Sequence, residues 1–255
     1  MDFQRILFDV SDHIATITIN RPERLNATDD LTRTELGQAW ARVRDDSDIR
    51  VAIITGAGDR AFSAGQDIRA TAQSGIRNKV PGSRLHHNVW KPVICALNGM
   101  VVGGGLHQVA DSDLIIAAEH AELIDTHLMV GNVFALEPTV LLRRMPLSMV
   151  MQLALMTKDG RISAQRGYEI GLINEVVPAD RLQERTREIA LAITKLSPAT
   201  VQASIKGMWT SLDVGLHAAH DVAYRYVLQH QMTHPDYLEG MKAFAEKREP
   251  QWVVD

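Results

Sequence analysis

The sequence predicts an α/β fold in which a largely parallel sheet is followed by a helical C-terminal region. Continuous apolar runs rich in β-branched residues, such as VAIITG at 51–56, recur in the first half, each followed by a loop and a helix-like pattern. In the last third strand signals are almost absent, and helical patterns cover 137–156, 163–171, 179–196, 198–212 and 215–231. We therefore expect an α/β core over residues 1–195 and a helical region over residues 196–255.

The elements of the core follow in chain order. The runs ILFDV and IATITIN predict a hairpin with one buried face, because Ile17 and Ile19 alternate with threonines. Thr28 is placed to cap a helix whose apolar positions include Leu36 and Trp40. Further strands are expected at 51–56, 92–99 and 113–119.

Composition limits the classes of function. The 255 residues are 45% hydrophobic and 23% charged, which suits a folded protein with one large core. The formal net charge of -4 does not favour nucleic acid or an anionic membrane as partner. The longest apolar stretch, Val93 to Leu106, contains Asn98 and four glycines, so no membrane span is expected. A single cysteine, Cys95, and an N-terminus without secretory features predict a cytoplasmic protein.

The stretch GMVVGGGLHQVAD at 99–111 places three glycines where a strand gives way to a helix. Glycines there either permit close packing or let an external oxygen reach the unpaired N–H groups of a helix start. The loop AGDRAFSAGQDI follows another strand, and two such loops could each aim one N–H at the same oxygen, as in an oxyanion hole. Neither loop has the spacing of a dinucleotide or phosphate-binding motif.

Several longer segments carry a family resemblance. NRPERLNA, VAIITGAGDRAFSAGQDI, PVICALNGMVVGGG, DLIIAAEHA, GRISAQRGYEIGLINEVVP and EGMKAFAEKREP resemble, in order, the crotonase (enoyl-CoA hydratase/isomerase) superfamily. The resemblance implies a ββα spiral core, a helical C-terminal region that forms homotrimers or dimers of trimers, and an acyl-CoA substrate. It also implies that the backbone N–H groups of Gln66 and Gly104 hold the thioester oxygen. No cofactor is expected besides the coenzyme A of the substrate.

The expected acid/base residues depart from the family pattern. The resemblance implies two catalytic glutamates, and the matching positions here are His107 and His127. A neutral imidazole is a competent base near neutral pH. Asp125 and Glu137 are candidate carboxylates for orienting these rings, and a strand would put Asp125 and His127 on the same side.

The resemblance also implies contacts to coenzyme A. It places Arg24 near the phosphates, Ala64 and Ile68 along the pantetheine and adenine, and Phe244 with Lys247 reaching in from a neighbouring subunit. We interpret His86 and His87 as partly solvated helix residues. Asp111 is assigned to the helix end. No metal-binding spacing joins His107 to His127, so no metal is expected.

The sequence therefore predicts an acyl-CoA-processing enzyme with an imidazole-based acid/base pair. It is consistent with a variant hydratase and with a hydrolase of C–C or thioester bonds. Two alternatives stay open: a conventional 2-enoyl-CoA hydratase, and a non-catalytic acyl-CoA-binding protein. Replacement of both glutamates by titratable side chains speaks against loss of catalysis.

Overall fold

A computed structural model describes residues 3–74 and 82–253. The strands of these ranges are β1 (Ile6–Ser11), β2 (Ile14–Ile19), β3 (Val51–Gly56), β4 (Ala61–Ser63), β5 (Val93–Leu97), β6 (Met100–Val102), β7 (Leu114–Ala118), β8 (Glu122–Ile124), β9 (Ile162–Ser163) and β10 (Glu175–Val177). The α-helices are α1 (Asp30–Asp45), α2 (Ile68–Ser74), α3 (Leu106–Asp111), α4 (Leu136–Leu141), α5 (Leu147–Met156), α6 (Ala164–Glu169), α7 (Leu182–Thr194), α8 (Pro198–Ser211), α9 (Leu216–Thr233) and α10 (Asp236–Glu246).

Six strands form the main sheet, in the order β1-β2-β3-β5-β7-β10. The β1–β2 hairpin is antiparallel, and every later pairing in this sheet is parallel. All six residues of β3 are buried: Ala52 and Ile54 face the main core, whereas Val51 and Ile53 face a second core covered by α7. Burial on both faces is the reason that this strand reads as a continuous apolar run.

A second, four-stranded sheet has the order β4-β6-β8-β9, and β4, β6 and β8 run parallel to one another. The carboxyl ends of neighbouring parallel strands meet at the same edge of a sheet. The loops that follow these three strands therefore emerge side by side. Those loops carry residues 64–67, 103–105 and 125–127.

Two local expectations were wrong. The cap of α1 is Asp29 and not Thr28, because Asp29 and Thr32 form a reciprocal capping box in which the Asp29 carboxylate accepts from Thr32 N. The helix expected over 137–156 is two helices, α4 and α5. Pro146 stands directly before α5, and proline disfavours helical geometry at the residue before it.

The C-terminal helices continue the chain beyond the sheets. The expected boundary between residues 195 and 196 falls in the turn between α7 and α8. Large apolar side chains on α9 and α10 are exposed in the single chain, with Leu216 at 82%, Met232 at 80% and Phe244 at 89%. None of the helices in the described ranges has the length and apolar character needed to cross a membrane.

Candidate active site

Three neighbouring strand ends bring the predicted site residues to one edge of the smaller sheet. Gln66 follows β4, Gly104 follows β6, and His127 follows β8. His107 stands one residue inside α3, which continues directly from the three glycines. The parallel order β4-β6-β8 is thus what brings together residues far apart in the chain.

The amide nitrogens of Gln66 and Gly104 lie close to each other across the gap between two loops. A Cβ added to Gly104 would be 3.9 Å from Gln66 N, and one added to Gly65 would be 3.2 Å from Gly104 N. The neighbouring amides are engaged, since Asp67 N donates to Thr28 O and Leu106 N to Gly103 O. In the described part of the chain, neither Gln66 N nor Gly104 N donates to a protein acceptor across these loops.

A glycine is needed at each of the three consecutive positions for a different structural reason. Gly103 has a φ of +50°, and a Cβ there would meet His127 Cε1 at 3.4 Å. A Cβ on Gly104 would project into the gap beside Gln66. Gly105 packs so closely on β4 that a Cβ would meet Ser63 Cβ at 3.0 Å. Close packing therefore explains Gly105, whereas an accessible N–H group explains Gly104.

His127 and Asp125 form a tight pair. The His127 ring nitrogen Nδ1 lies 2.6 Å from Asp125 Oδ1, and His127 N donates to Asp125 Oδ2 at 3.1 Å. The strand β8 ends at Ile124, so a turn and not a strand brings these side chains to the same side. Asp125 is fully buried, and an ionised carboxylate can only accept hydrogen bonds. It therefore holds the His127 ring with the proton on Nδ1, which leaves the lone pair on Nε2, on the side of Glu137.

Glu137 lies between the two imidazoles. Its Oε1 is 3.1 Å from His107 Nε2 and 3.7 Å from His127 Nε2. Glu137 is 3% exposed and sits in the first turn of α4, where the helix dipole favours a carboxylate. The sequence had suggested Glu137 only as an orienting carboxylate. The structure brings it together with Asp125, His107 and His127 in one cluster.

Burial and hydrogen bonding separate the protonation behaviour of these groups. Burial lowers the pKa of His107 to about 4, and the nearby charges of His86 and His127 add to this effect. The hydrogen bond to Asp125 raises the pKa of His127 above its ordinary value. Burial raises the pKa of Glu137. The cluster thus contains a weakly basic imidazole, a more strongly basic imidazole and a carboxyl group that holds its proton more firmly than usual.

An aromatic contact at the site was missed from the sequence. Phe134 stacks on the His127 ring with the centroids 5.4 Å apart and the planes 25° apart. Phe134 lies in the loop between His127 and Glu137, where periodicity carries no signal. Four neighbours in this segment are exposed apolar side chains, namely Leu128, Met129, Val130 and Val133.

Three of the five residues suggested for coenzyme A lie near Gln66. Arg24 is exposed at the end of a 3₁₀ turn, and Ala64 N donates to Leu25 O, so the two loops are joined there. Ile68 opens α2 and is 53% exposed. Phe244 and Lys247 lie on and directly after α10, and the contact with a neighbouring subunit stays a prediction.

The match to a protein-family model covers residues 9–254, and the model is described as enoyl-CoA hydratase/isomerase. The chain belongs to the enoyl-CoA hydratase/isomerase family. Among the described residues, no group of three or more His, Cys, Asp or Glu side chains has an arrangement that could hold a metal ion.

Relatives of this family member carry names of water-adding and water-removing enzymes. An (E)-benzylidenesuccinyl-CoA hydratase of Thauera aromatica is 35% identical over 254 residues, 96% of this chain and 97% of the relative. A carnitinyl-CoA dehydratase of Salmonella arizonae is 33% identical over 94% of both chains.

Solved structures agree with the fold. An enoyl-CoA hydratase/isomerase from Mycobacterium paratuberculosis superposes with a TM-score of 0.93, at 35% identity and with 100% of both chains covered. An enoyl-CoA hydratase from Bacillus anthracis has a TM-score of 0.87, at 31% identity, covering 99% of this chain and 100% of the other. The mixed α/β core expected from the sequence, of the crotonase type, is confirmed.

Proposed function

We propose that this enzyme adds water to the double bond of a 2-enoyl-CoA thioester, or removes it in the reverse direction, with His127 as the base. The observation that carries the proposal is the position of Glu137 Oε1, 3.1 Å from one imidazole and 3.7 Å from the other, with Asp125 behind His127. Two relatives that match nearly full length are named as a hydratase and a dehydratase of CoA thioesters.

The thioester oxygen is held by backbone donors. In the proposal it accepts hydrogen bonds from the N–H groups of Gln66 and Gly104, which are neighbours across the loop gap. As water attacks the β-carbon, negative charge moves to this oxygen. Preorganised donors stabilise the resulting enolate, and removing one such donor typically costs roughly 10²- to 10³-fold in rate.

The protons move within the carboxylate–imidazole cluster. His127 Nε2 takes a proton from the attacking water while the remaining hydroxyl bonds to the β-carbon. Glu137, whose pKa is raised by burial, gives its proton to the α-carbon of the enolate. The proton on His127 then returns to Glu137 across the 3.7 Å between them, so atoms and charge balance over one turnover. Neutral His107 donates its Nε2–H to Glu137 throughout. No cofactor takes part besides the coenzyme A of the substrate.

A second candidate is hydrolysis, and the tight His127–Asp125 pair favours it. An imidazole backed by a buried carboxylate can equally activate water for attack on a carbonyl carbon, followed by cleavage of a C–C or C–S bond. The products tell the two apart. Hydration keeps the thioester intact, whereas thioester hydrolysis releases the free thiol of coenzyme A.

Turnover of crotonyl-CoA and cinnamoyl-CoA tests the proposal. We expect loss of the conjugated absorbance without release of free thiol. The variants His107→Gln and His127→Gln should each lose activity by about 10²-fold or more. His120→Gln, an exposed histidine on the turn after β7, is the matched control and should keep full activity. Full activity in both site variants would remove the catalytic assignment. Tight binding of these thioesters without turnover would favour the non-catalytic alternative.

We infer that the C-terminal helices assemble the protein into a homotrimer or a dimer of trimers. A groove of about 1160 Å³ between α8, α9 and α10 is lined by apolar side chains such as Met208, Val227 and Met241. Burial of such surface against a second copy would stabilise an oligomer. Sedimentation equilibrium at micromolar concentration tests this inference. A monomer would contradict it.

A further inference from the structure

Two short helices bring His107 and Glu137 together. His107 is the second residue of α3, Glu137 is the second residue of α4, and the atoms Nε2 and Oε1 of these side chains are 3.1 Å apart. Each helix has six residues, and a helix of that length is not stable by itself in water. The His107–Glu137 contact therefore depends on the tertiary bonds that hold the two helices in place.

Arg144 joins the two helices at their C-terminal ends. The turn that follows α4 places this residue, since Arg144 N donates to Leu141 O at 2.9 Å. Arg144 Nη1 donates to three backbone oxygens at the end of α3, those of Val109 at 3.3 Å, Ala110 at 2.8 Å and Ser112 at 2.6 Å. The helices are thus connected twice, by His107 and Glu137 at their beginnings and by Arg144 at their ends.

A second guanidinium group binds the same end of α3. Arg84 Nε donates to Asp111 O at 2.5 Å, and Arg84 Nη1 donates to Val89 O at 2.9 Å. The end of a helix leaves carbonyl groups without partners inside the helix, and its dipole favours a cation there. Of the two arginines, Arg84 comes from the segment before β5, whereas Arg144 belongs to the chain that continues from Glu137. Arg144 is therefore the one that fixes α3 relative to α4.

The neighbouring arginine shows how different the surroundings of Arg144 are. Arg143 is exposed and bonds to Thr139 O in its own helix and to the exposed Asp213. Arg144 is half-buried, and burial lowers its pKa, because a cation loses solvation when it leaves water. Bonds to fixed backbone oxygens offset this cost. The two residues therefore form a matched pair, in which only Arg144 connects two helices.

We infer that Arg144 is a positioning residue of the active site, which ties the end of α3 to the chain after α4 and thereby fixes the His107 ring against the Glu137 carboxyl group. Arg144 acts through α3, because it binds the end of this helix opposite to His107. A misplacement of about 1 Å in a catalytic constellation can cost roughly 10²-fold in rate. The effect on turnover rests on the proposed function, whereas the connection between the helices does not.

Hydrogen–deuterium exchange, measured by mass spectrometry, tests the connection without substrate. In Arg144→Met the amides of residues 106–112 should exchange about 10-fold faster or more, while those of β3 stay protected. Arg143→Met is the matched control and should exchange like the wild type. Unchanged exchange over 106–112 in Arg144→Met, or an equal acceleration in Arg143→Met, would overturn the inference. If Arg144→Met does not fold, Arg144→Gln against Arg143→Gln provides the same comparison.

Kinetics with crotonyl-CoA separate positioning from stability. In Arg144→Met, kcat per folded molecule should fall about 10- to 10²-fold while KM stays nearly the same. Arg144→Lys should recover part of the loss, because all three bonds start from one nitrogen and an ammonium group has three protons to donate.

Two results would contradict a part of this account, and they are distinguishable. A lower Tm with a wild-type kcat per folded molecule in Arg144→Met would overturn the positioning role. A wild type that turns over neither crotonyl-CoA nor cinnamoyl-CoA would reject the proposed hydration alone, and the exchange rates would then decide the inference by themselves.

Discussion

Replacement of Asp125 by asparagine tests whether a carboxylate defines His127 as the base. Asp125 accepts two hydrogen bonds, from the His127 ring at 2.6 Å and from His127 N at 3.1 Å. Asparagine is nearly the same size, but it has one acceptor oxygen and one donor nitrogen. One of the two bonds must therefore be lost, or the ring must move its proton from Nδ1 to Nε2. The second case removes the lone pair that takes the proton from water.

The expected decrease in kcat of Asp125→Asn follows from the hydrogen bond that is lost. A hydrogen bond to a charged group contributes about 1.5–3 kcal/mol, which corresponds to about a 10- to 100-fold change in the basicity of the ring. With the wrong tautomer in part of the molecules, we expect kcat to fall about 10²- to 10⁴-fold. Because the Asp125 bond is the largest cause that raises the pKa of His127, the acidic limb of the kcat/KM profile should also move to lower pH.

The same substitution has a signature in stability. The folded-state pKa of His127 is raised above the ordinary value of about 6.5, so its stabilisation is fully present below that pH. The stabilisation is lost as pH rises through the raised pKa. The difference in Tm between the wild type and Asp125→Asn should therefore be larger at pH 5.5 than at pH 9.

The assay is the loss of conjugated absorbance of crotonyl-CoA between pH 5.5 and pH 9, together with thermal unfolding at both limits. Asp213→Asn is the matched control, since Asp213 is an exposed partner of Arg143, and it should behave like the wild type. A variant Asp125→Asn with wild-type kcat and an unmoved acidic limb would refute the assignment of His127 as the base.

Three further substitutions test other parts of the cluster. Gly104→Ala places a Cβ 3.9 Å from Gln66 N, in the gap where the thioester oxygen would bind. We therefore expect kcat to fall about 10²-fold or more while Tm stays nearly unchanged. A normal rate would exclude this gap as the binding site of the thioester oxygen. The amide in Glu137→Gln cannot donate a proton to carbon, so exchange of the substrate α-hydrogen with deuterated water should fall at least about 10²-fold, as measured by mass spectrometry. Retained exchange would show that another residue is the acid. Gly103→Ala must adopt a φ of +50° against the His127 ring, so unfolding in urea should show about 1–2 kcal/mol less stability, and an unchanged midpoint would contradict the strain.

Much of the fold could be predicted from local patterns. Continuous apolar runs such as β3 indicate strands buried on both faces, and their repetition with helices indicates a parallel sheet. Boundaries were less accurate. Pro146 divides the helix expected over 137–156, and Asp29 replaces Thr28 as the cap of α1 because its carboxylate bonds back to the first turn. Such details depend on backbone geometry that residue types alone do not specify.

The site could be predicted only in part. The family resemblance of several sequence motifs predicts His107, His127 and the two backbone donors, because those positions lie at constant spacing from the glycine run and from the strand after it. Phe134 had no such signal, since it contacts His127 from a loop. The sequence predicts that His86 is partly solvated. It is exposed, but its bond to Ser83 is visible only when segment 82–86 lies against α3.

By itself the sequence determined which residues can carry charge, which must be buried and at which positions the backbone has no side chain. Those are properties of individual residues and of their immediate neighbours in the chain. Tertiary structure alone decided that Glu137 lies between two imidazoles and that Asp125 bonds to one of them. Distances between side chains from different elements depend on how strands are ordered and how loops pack, and the pKa values of the cluster follow from those distances and from burial.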